Sequence, residues 1–86
     1  MPVISAFFGI LIRMYFEDHE PPHFHAEHQG DHATFSFDGN LLAGGIRSGA
    51  ARRRIAAWAL VHRSDLEANW RRIRAGRPLE RIPPLA

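Results

Sequence analysis

The stretch His23-Phe24-His25-Ala26-Glu27-His28-Gln29-Gly30-Asp31-His32-Ala33-Thr34-Phe35-Ser36-Phe37 decides how this chain folds. Apolar and polar residues alternate in it, and successive side chains of a strand point to opposite faces of a sheet, so it reads as two half-buried strands, 23–28 and 32–37, around a turn at Gln29-Gly30-Asp31. Phe24, Ala33, Phe35 and Phe37 fall on the core side. His23, His25, Glu27, His32, Thr34 and Ser36 fall on the other, while His28 takes the core-side phase.

Upstream, residues 10–16 alternate in the same way, with Ile10, Ile12, Met14 and Phe16 on one face and Leu11, Arg13 and Tyr15 on the other. The loop Glu17-Asp18-His19-Glu20-Pro21-Pro22 interrupts the pattern, because neither proline can donate to a sheet ladder. Downstream, Asp38-Gly39-Asn40 supplies a hairpin turn and Leu41 to Ile46 a short further strand weakened by Gly44-Gly45. Past Gly45 the period becomes helical. Ser48 is placed to cap a first helix whose buried stripe is Ala51, Ile55, Trp58, Ala59 and His62. Ser64-Asp65-Leu66-Glu67 fits a capping box for a second helix with Leu66, Trp70 and Ile73 buried and Gly76 as its stop. Leu79, Ile82 and Leu85 are expected to pin the proline-rich tail, 77–86, across the surface.

These elements predict one α+β domain over residues 1–86: an antiparallel meander of three to four strands within residues 10–46, then a helical hairpin within 48–76 packed on one sheet face. Phe24 is expected in the core beneath both tryptophans. The opposite face then collects Arg13, Tyr15, His23, His25, Glu27, His32, Thr34 and Ser36 into one polar surface.

Composition narrows the chemistry. With 86 residues there is room for one small core. Cysteine is absent, which excludes disulfides, thiolate metal sites and cysteine nucleophiles and leaves histidine and carboxylate as the strong metal ligands. The apolar run at residues 6–12 is too short to span a bilayer and follows no signal-type leader, so no membrane association and a cytoplasmic location are expected. Residues 1–40 hold one arginine against six acids, and residues 41–86 hold ten against three. No lysine occurs, and guanidinium groups suit phosphate and carboxylate.

Five of the six histidines lie between positions 19 and 32. On a strand, His23 and His25 point to the same side about 7 Å apart, a spacing that suits joint ligation of one metal ion or paired contacts to one phosphate. Glu27 continues that face, and His19 or Glu17 in the loop could add a ligand, giving a site for zinc, nickel or a similar divalent ion. The same imidazoles with Arg13 and Tyr15 could instead supply the acid, base and cation of a metal-independent ribonuclease. Solvated or hydrogen-bonded surface histidines give the same pattern. No phosphate loop, nucleophile motif or catalytic triad occurs. Arg47, Arg52, Arg53, Arg54, Arg71, Arg72 and Arg74 form a candidate binding set for nucleic acid or an acidic partner.

The segments Met1-Pro2-Val3-Ile4-Ser5, Gly9-Ile10-Leu11-Ile12-Arg13-Met14-Tyr15, His19-Glu20-Pro21-Pro22-His23-Phe24-His25-Ala26 and Gly76-Arg77-Pro78-Leu79-Glu80-Arg81-Ile82-Pro83-Pro84-Leu85 together resemble the small bacterial family called domain of unknown function 4160. That resemblance settles no activity. It implies a binding or regulatory component of a two-gene, toxin–antitoxin-like module, acting by protein–protein interaction with a small partner similar to domain of unknown function 2442. The resemblance leaves enzymatic activity, a bound metal, nucleic-acid binding and homo-oligomerisation open.

Overall fold

A computed structural model describes residues 3–86. Five strands, β1 (Val3–Phe7), β2 (Ile10–Arg13), β3 (His23–His28), β4 (Asp31–Ser36) and β5 (Leu41–Gly44), are followed by two helices, α1 (Gly49–Val61) and α2 (Arg63–Ala75). The strands form one antiparallel sheet in the order β1-β2-β3-β4-β5. Each strand thus pairs with its neighbour in sequence, the arrangement an α+β meander requires.

The sheet has one strand more than the alternation shows. In β1 the register shifts between Val3 and Ser5, and Ile4 and Ser5 are both buried. This bulge breaks the period of two by which a strand is recognised. Phe8 and Gly9 close the β1–β2 hairpin with φ of 50° and 73°, and the guanidinium of Arg54 lies 4.1 Å above the Phe8 ring. Gln29 and Gly30 join β3 to β4 with φ of 49° and 82°, so Asp31 belongs to the strand and not to the turn. Two positive φ values in a two-residue loop match the right-handed twist of the flanking strands.

Two further expectations are corrected. Phe16 is 49% exposed instead of facing the core. The ladder of β2 ends at Arg13, and the amide of Tyr15 donates to Asp18 Oδ2 while the amide of Asp18 donates to the Tyr15 carbonyl, so the chain turns before Phe16 can point inward. α2 is not capped by Ser64. It begins at Arg63, directly after His62, which ends α1 and starts α2; Ser64 is exposed within the first turn. The other caps follow the sequence: the Ser48 hydroxyl accepts from the amide of Ala51, and Gly76 takes the left-handed conformation after α2.

Both helices pack on the face presented by Ile10, Ile12, Phe24, Ala26, Ala33 and Phe35. Phe24 is fully buried, stacked on Phe35 and edge-on to Trp58. Trp70 does not lie over Phe24 in this way: its ring neighbours are Phe37 and His23. The tail is held by polar contacts as well as by buried Ile82. Trp58 donates to the Pro83 carbonyl, buried Asn69 bonds both backbone groups of Glu80, and the amide of Ile82 donates to Ile4 of β1.

Phe24→Ala is expected to cost about 3–5 kcal/mol, since it removes a large buried ring whose neighbours cannot close the gap. Urea unfolding of the variant checks this, and a loss under about 1 kcal/mol would place Phe24 outside the load of the core.

Candidate functional site

The register of the sheet assembles the polar face residue by residue. Arg13 of β2 stands opposite His25 of β3, His25 opposite Thr34 of β4, and Thr34 opposite Ala43 of β5. The next row pairs Leu11 with Glu27 and Glu27 with His32. Arg13, Tyr15, His23, His25, Glu27, Thr34 and Ser36 are all half-buried, and His32 is exposed.

The loop between β2 and β3 delivers the decisive side chain. Because the Tyr15 amide holds Asp18 Oδ2, the second carboxylate oxygen is turned toward the start of β3. Asp18 Oδ1 lies 3.1 Å from His25 Nε2 and 3.3 Å from His23 Nε2. The donor atoms of Asp18, His23 and His25 all lie within 4.8 Å of one another. Their side chains are 10%, 14% and 31% exposed, which shields the cluster yet leaves a side open to solvent. His23 Nδ1 lies 2.7 Å from the Pro21 carbonyl. A carbonyl only accepts, so that nitrogen carries the proton and donates. In the neutral ring, Nε2 then presents a lone pair toward Asp18 Oδ1.

Aromatic rings fix the imidazoles. Tyr15 is edge-on to His25 at 4.6 Å, and His23 is edge-on to His25 at 5.0 Å and to Trp70 at 5.5 Å. Glu20 ties the same loop to α2, accepting from Trp70 Nε1 at 3.0 Å and from Arg74 Nη2 at 2.8 Å. These two donors, Arg74 first, hold the Glu20 carboxyl below its ordinary value of 4.5. The Glu20–Pro21 peptide is cis.

The residues singled out from sequence divide accordingly. His23 and His25 come together as expected. Glu27 is taken by Arg13 at 2.5 Å and is not among the convergent donors, and His19 is exposed in the loop. Asp18 supplies the third group. Alternation could not find it, because a loop residue has no phase; the available signal was a carboxylate five positions ahead of a His-x-His pair.

Of the seven arginines in the candidate binding set, five serve contacts within the chain. Arg47 holds Asp31, Arg52 donates to the carbonyls of Ile46 and Arg47, Arg54 covers Phe8, Arg72 bonds Asn69 and Glu80, and Arg74 bonds Glu20. Arg52, which opposes the helix dipole in the first turn of α1, is thereby explained as a clamp on the preceding carbonyls. Arg53 and Arg71 are exposed. The Arg47–Asp31 pair lowers the Asp31 carboxyl and raises the Arg47 guanidinium.

The family model described as "Domain of unknown function (DUF4160)" matches residues 9–71, and the chain belongs to that family. The match spans β2 to β5, α1 and most of α2, and includes Asp18, His23 and His25. No curated protein and no solved structure matches the chain.

A carboxyl whose value is lowered by folding adds stability above its unfolded value and loses that contribution as pH falls through the folded one. Glu20 therefore supports the fold above pH 4.5 and ceases to do so progressively below it. In urea unfolding at a series of pH values, Glu20→Gln is expected to lose less stability than the wild type below that point; superimposable pH profiles would contradict this role.

Proposed function

We propose that this protein is a small divalent-metal-binding component that works with a partner protein, and that Asp18, His23 and His25 hold the ion. Imidazole and carboxylate donors suit zinc or nickel. The observation that carries the proposal is the spacing of the donors. An ion bound tetrahedrally at about 2.0–2.1 Å holds its ligand atoms about 3.3 Å apart, and Asp18 Oδ1 lies 3.1 and 3.3 Å from the two imidazole nitrogens.

The tautomer of His23 supports the same conclusion. Metal-binding histidines commonly donate their other ring N–H to a backbone carbonyl or carboxylate, which orients the ring and raises its basicity; His23 donates to Pro21. Without a cation, a neutral His23 would set a lone pair against a carboxylate oxygen 3.3 Å away. A second ring proton or a metal ion removes that repulsion. Three protein ligands leave a coordination position for a further group, the pattern of working metal centres and not of closed structural ones.

The metal-independent ribonuclease is the less favoured use of these residues. It needs one imidazole as base and the other as acid, each facing substrate, whereas both Nε2 atoms face the same carboxylate. Within the proposal, a small partner in a toxin–antitoxin-like pair remains the macromolecule that this component serves.

Tag-free protein equilibrated with zinc or nickel and dialysed is expected to retain about one ion per chain by elemental analysis. His23→Ala, His25→Ala and Asp18→Asn should each weaken binding by roughly 10–100-fold or more. Asn at position 18 still accepts from the Tyr15 amide, so that variant tests the ligand without undoing the turn. Zinc at about 100 times its Kd should raise stability by about 2.7 kcal/mol, and a chelator should reverse the gain. Wild-type protein that retains no metal and gains no stability from it would overturn the proposal.

A further inference from the structure

A groove of about 580 Å³ lies between the Pro21-Pro22 loop, the end of β4 and α2, within the usual small-molecule range of about 300–1,000 Å³. We infer that it binds a small, flat aromatic carboxylate, an inference independent of the metal reading. Its α2 wall reaches from Arg63 to Arg71, a length of about 12 Å at 1.5 Å per residue, which accommodates two fused rings and a carboxylate. The lining is apolar and fixed. Phe37 and Trp70, edge-on to each other at 6.0 Å, are buried at its back, and core packing holds them there. Pro21 and Pro22 line it with rigid rings that carry no amide N–H. Trp70 Nε1 is spent on Glu20, so the indole offers the groove apolar surface and no donor, the setting in which an aromatic ring packs edge-on or offset.

Charge decides the sign of the ligand. The two acids of the lining, Asp38 and Glu67, both bond Arg63. Arg74 already sits 5.6 Å from the centre of the Trp70 ring, taking the place where a cationic ligand would gain from the indole. Arg71 also lines the groove and, among the described residues, makes no ion pair or hydrogen bond through its side chain. Glu67 turns to Arg63 and not to Arg71, four residues further on. A planar guanidinium with its donors unspent matches one carboxylate through two parallel hydrogen bonds. A phosphate group would set a second negative charge beside Asp38 and Glu67 with no second cation to answer it.

The test is a titration of tag-free protein with 2-naphthoate, followed by nitrogen–proton NMR, with a chelator present so that no metal holds the carboxylate. The Trp70 indole N–H and the Phe37 and Arg71 amides are expected to shift together, while the indole of Trp58, which does not line the groove, stays still. 2-Naphthamide, with the same rings and no charge, should bind about tenfold more weakly. Arg71→Gln should weaken 2-naphthoate by about the same factor and leave 2-naphthamide unchanged, which assigns the lost affinity to the guanidinium–carboxylate pair and not to a disturbed fold. Equal affinity for 2-naphthoate and 2-naphthamide, tighter binding of 1-naphthylmethylamine than of 2-naphthoate, or an Arg71→Gln variant that binds 2-naphthoate like the wild type overturns the inference. So does a Trp70 indole that ignores 2-naphthoate. Trp70 shifts that grow with protein concentration alone assign the groove to a second copy of this chain and overturn it as well.

Discussion

The Asp18 carboxylate joins the turn that ends one strand to the imidazoles that begin the next. Its Oδ2 accepts from the Tyr15 amide and its Oδ1 faces His23 and His25. The first contact is a local backbone matter, the common use of aspartate to replace a lost ladder bond. The second makes the loop chemical, because it brings a carboxylate within hydrogen-bond range of two imidazoles that the strand has already aimed in one direction. Without the turn, Asp18 would be one more solvated acid in an acidic loop.

The rest of the fold keeps that junction in place. Phe24, between the two histidines, is buried against Phe35 and Trp58, so the strand cannot roll without exposing an aromatic side chain. Glu20 and Trp70 link the loop to α2 across 50 positions of sequence. α2 in turn is tied to the tail through Asn69 and Glu80, and the tail to β1 through Ile82 and Ile4. The helices thus act on the site as a support, gripping the loop from the core side while the polar face stays open.

Much of this architecture was legible in the residues because the sheet is half-buried. One covered face makes the alternation of residues 23–37 a direct record of geometry, and the register then follows from short turns. What was not legible departs from simple periods. A bulge hid β1, a turn donated by Asp18 exposed Phe16, and the single residue His62 between the helices displaced the start of α2 from Ser64. The candidate site was half legible for the same reason. His23 and His25 lie on a strand and have a phase, but Asp18 reaches them through a loop whose path depends on contacts distant in sequence. Glu27 has the right phase and the wrong partner, since Arg13 on the adjacent strand claims it.

Membership of the family over residues 9–71 covers the loop, the imidazoles and the strands that carry them, and leaves β1 and the tail outside the match. The proposed metal site, the Asp18–His23–His25 junction, lies within that match. The most direct test of it is the long-range nitrogen–proton NMR spectrum of the imidazole rings, recorded on tag-free protein with and without zinc. A proton on His23 Nδ1, with Nε2 of both His23 and His25 shifting on addition of about one equivalent of zinc, is the predicted result. Ring nitrogens that ignore zinc, or a His23 ring protonated only at Nε2, would contradict a metal centre at this junction.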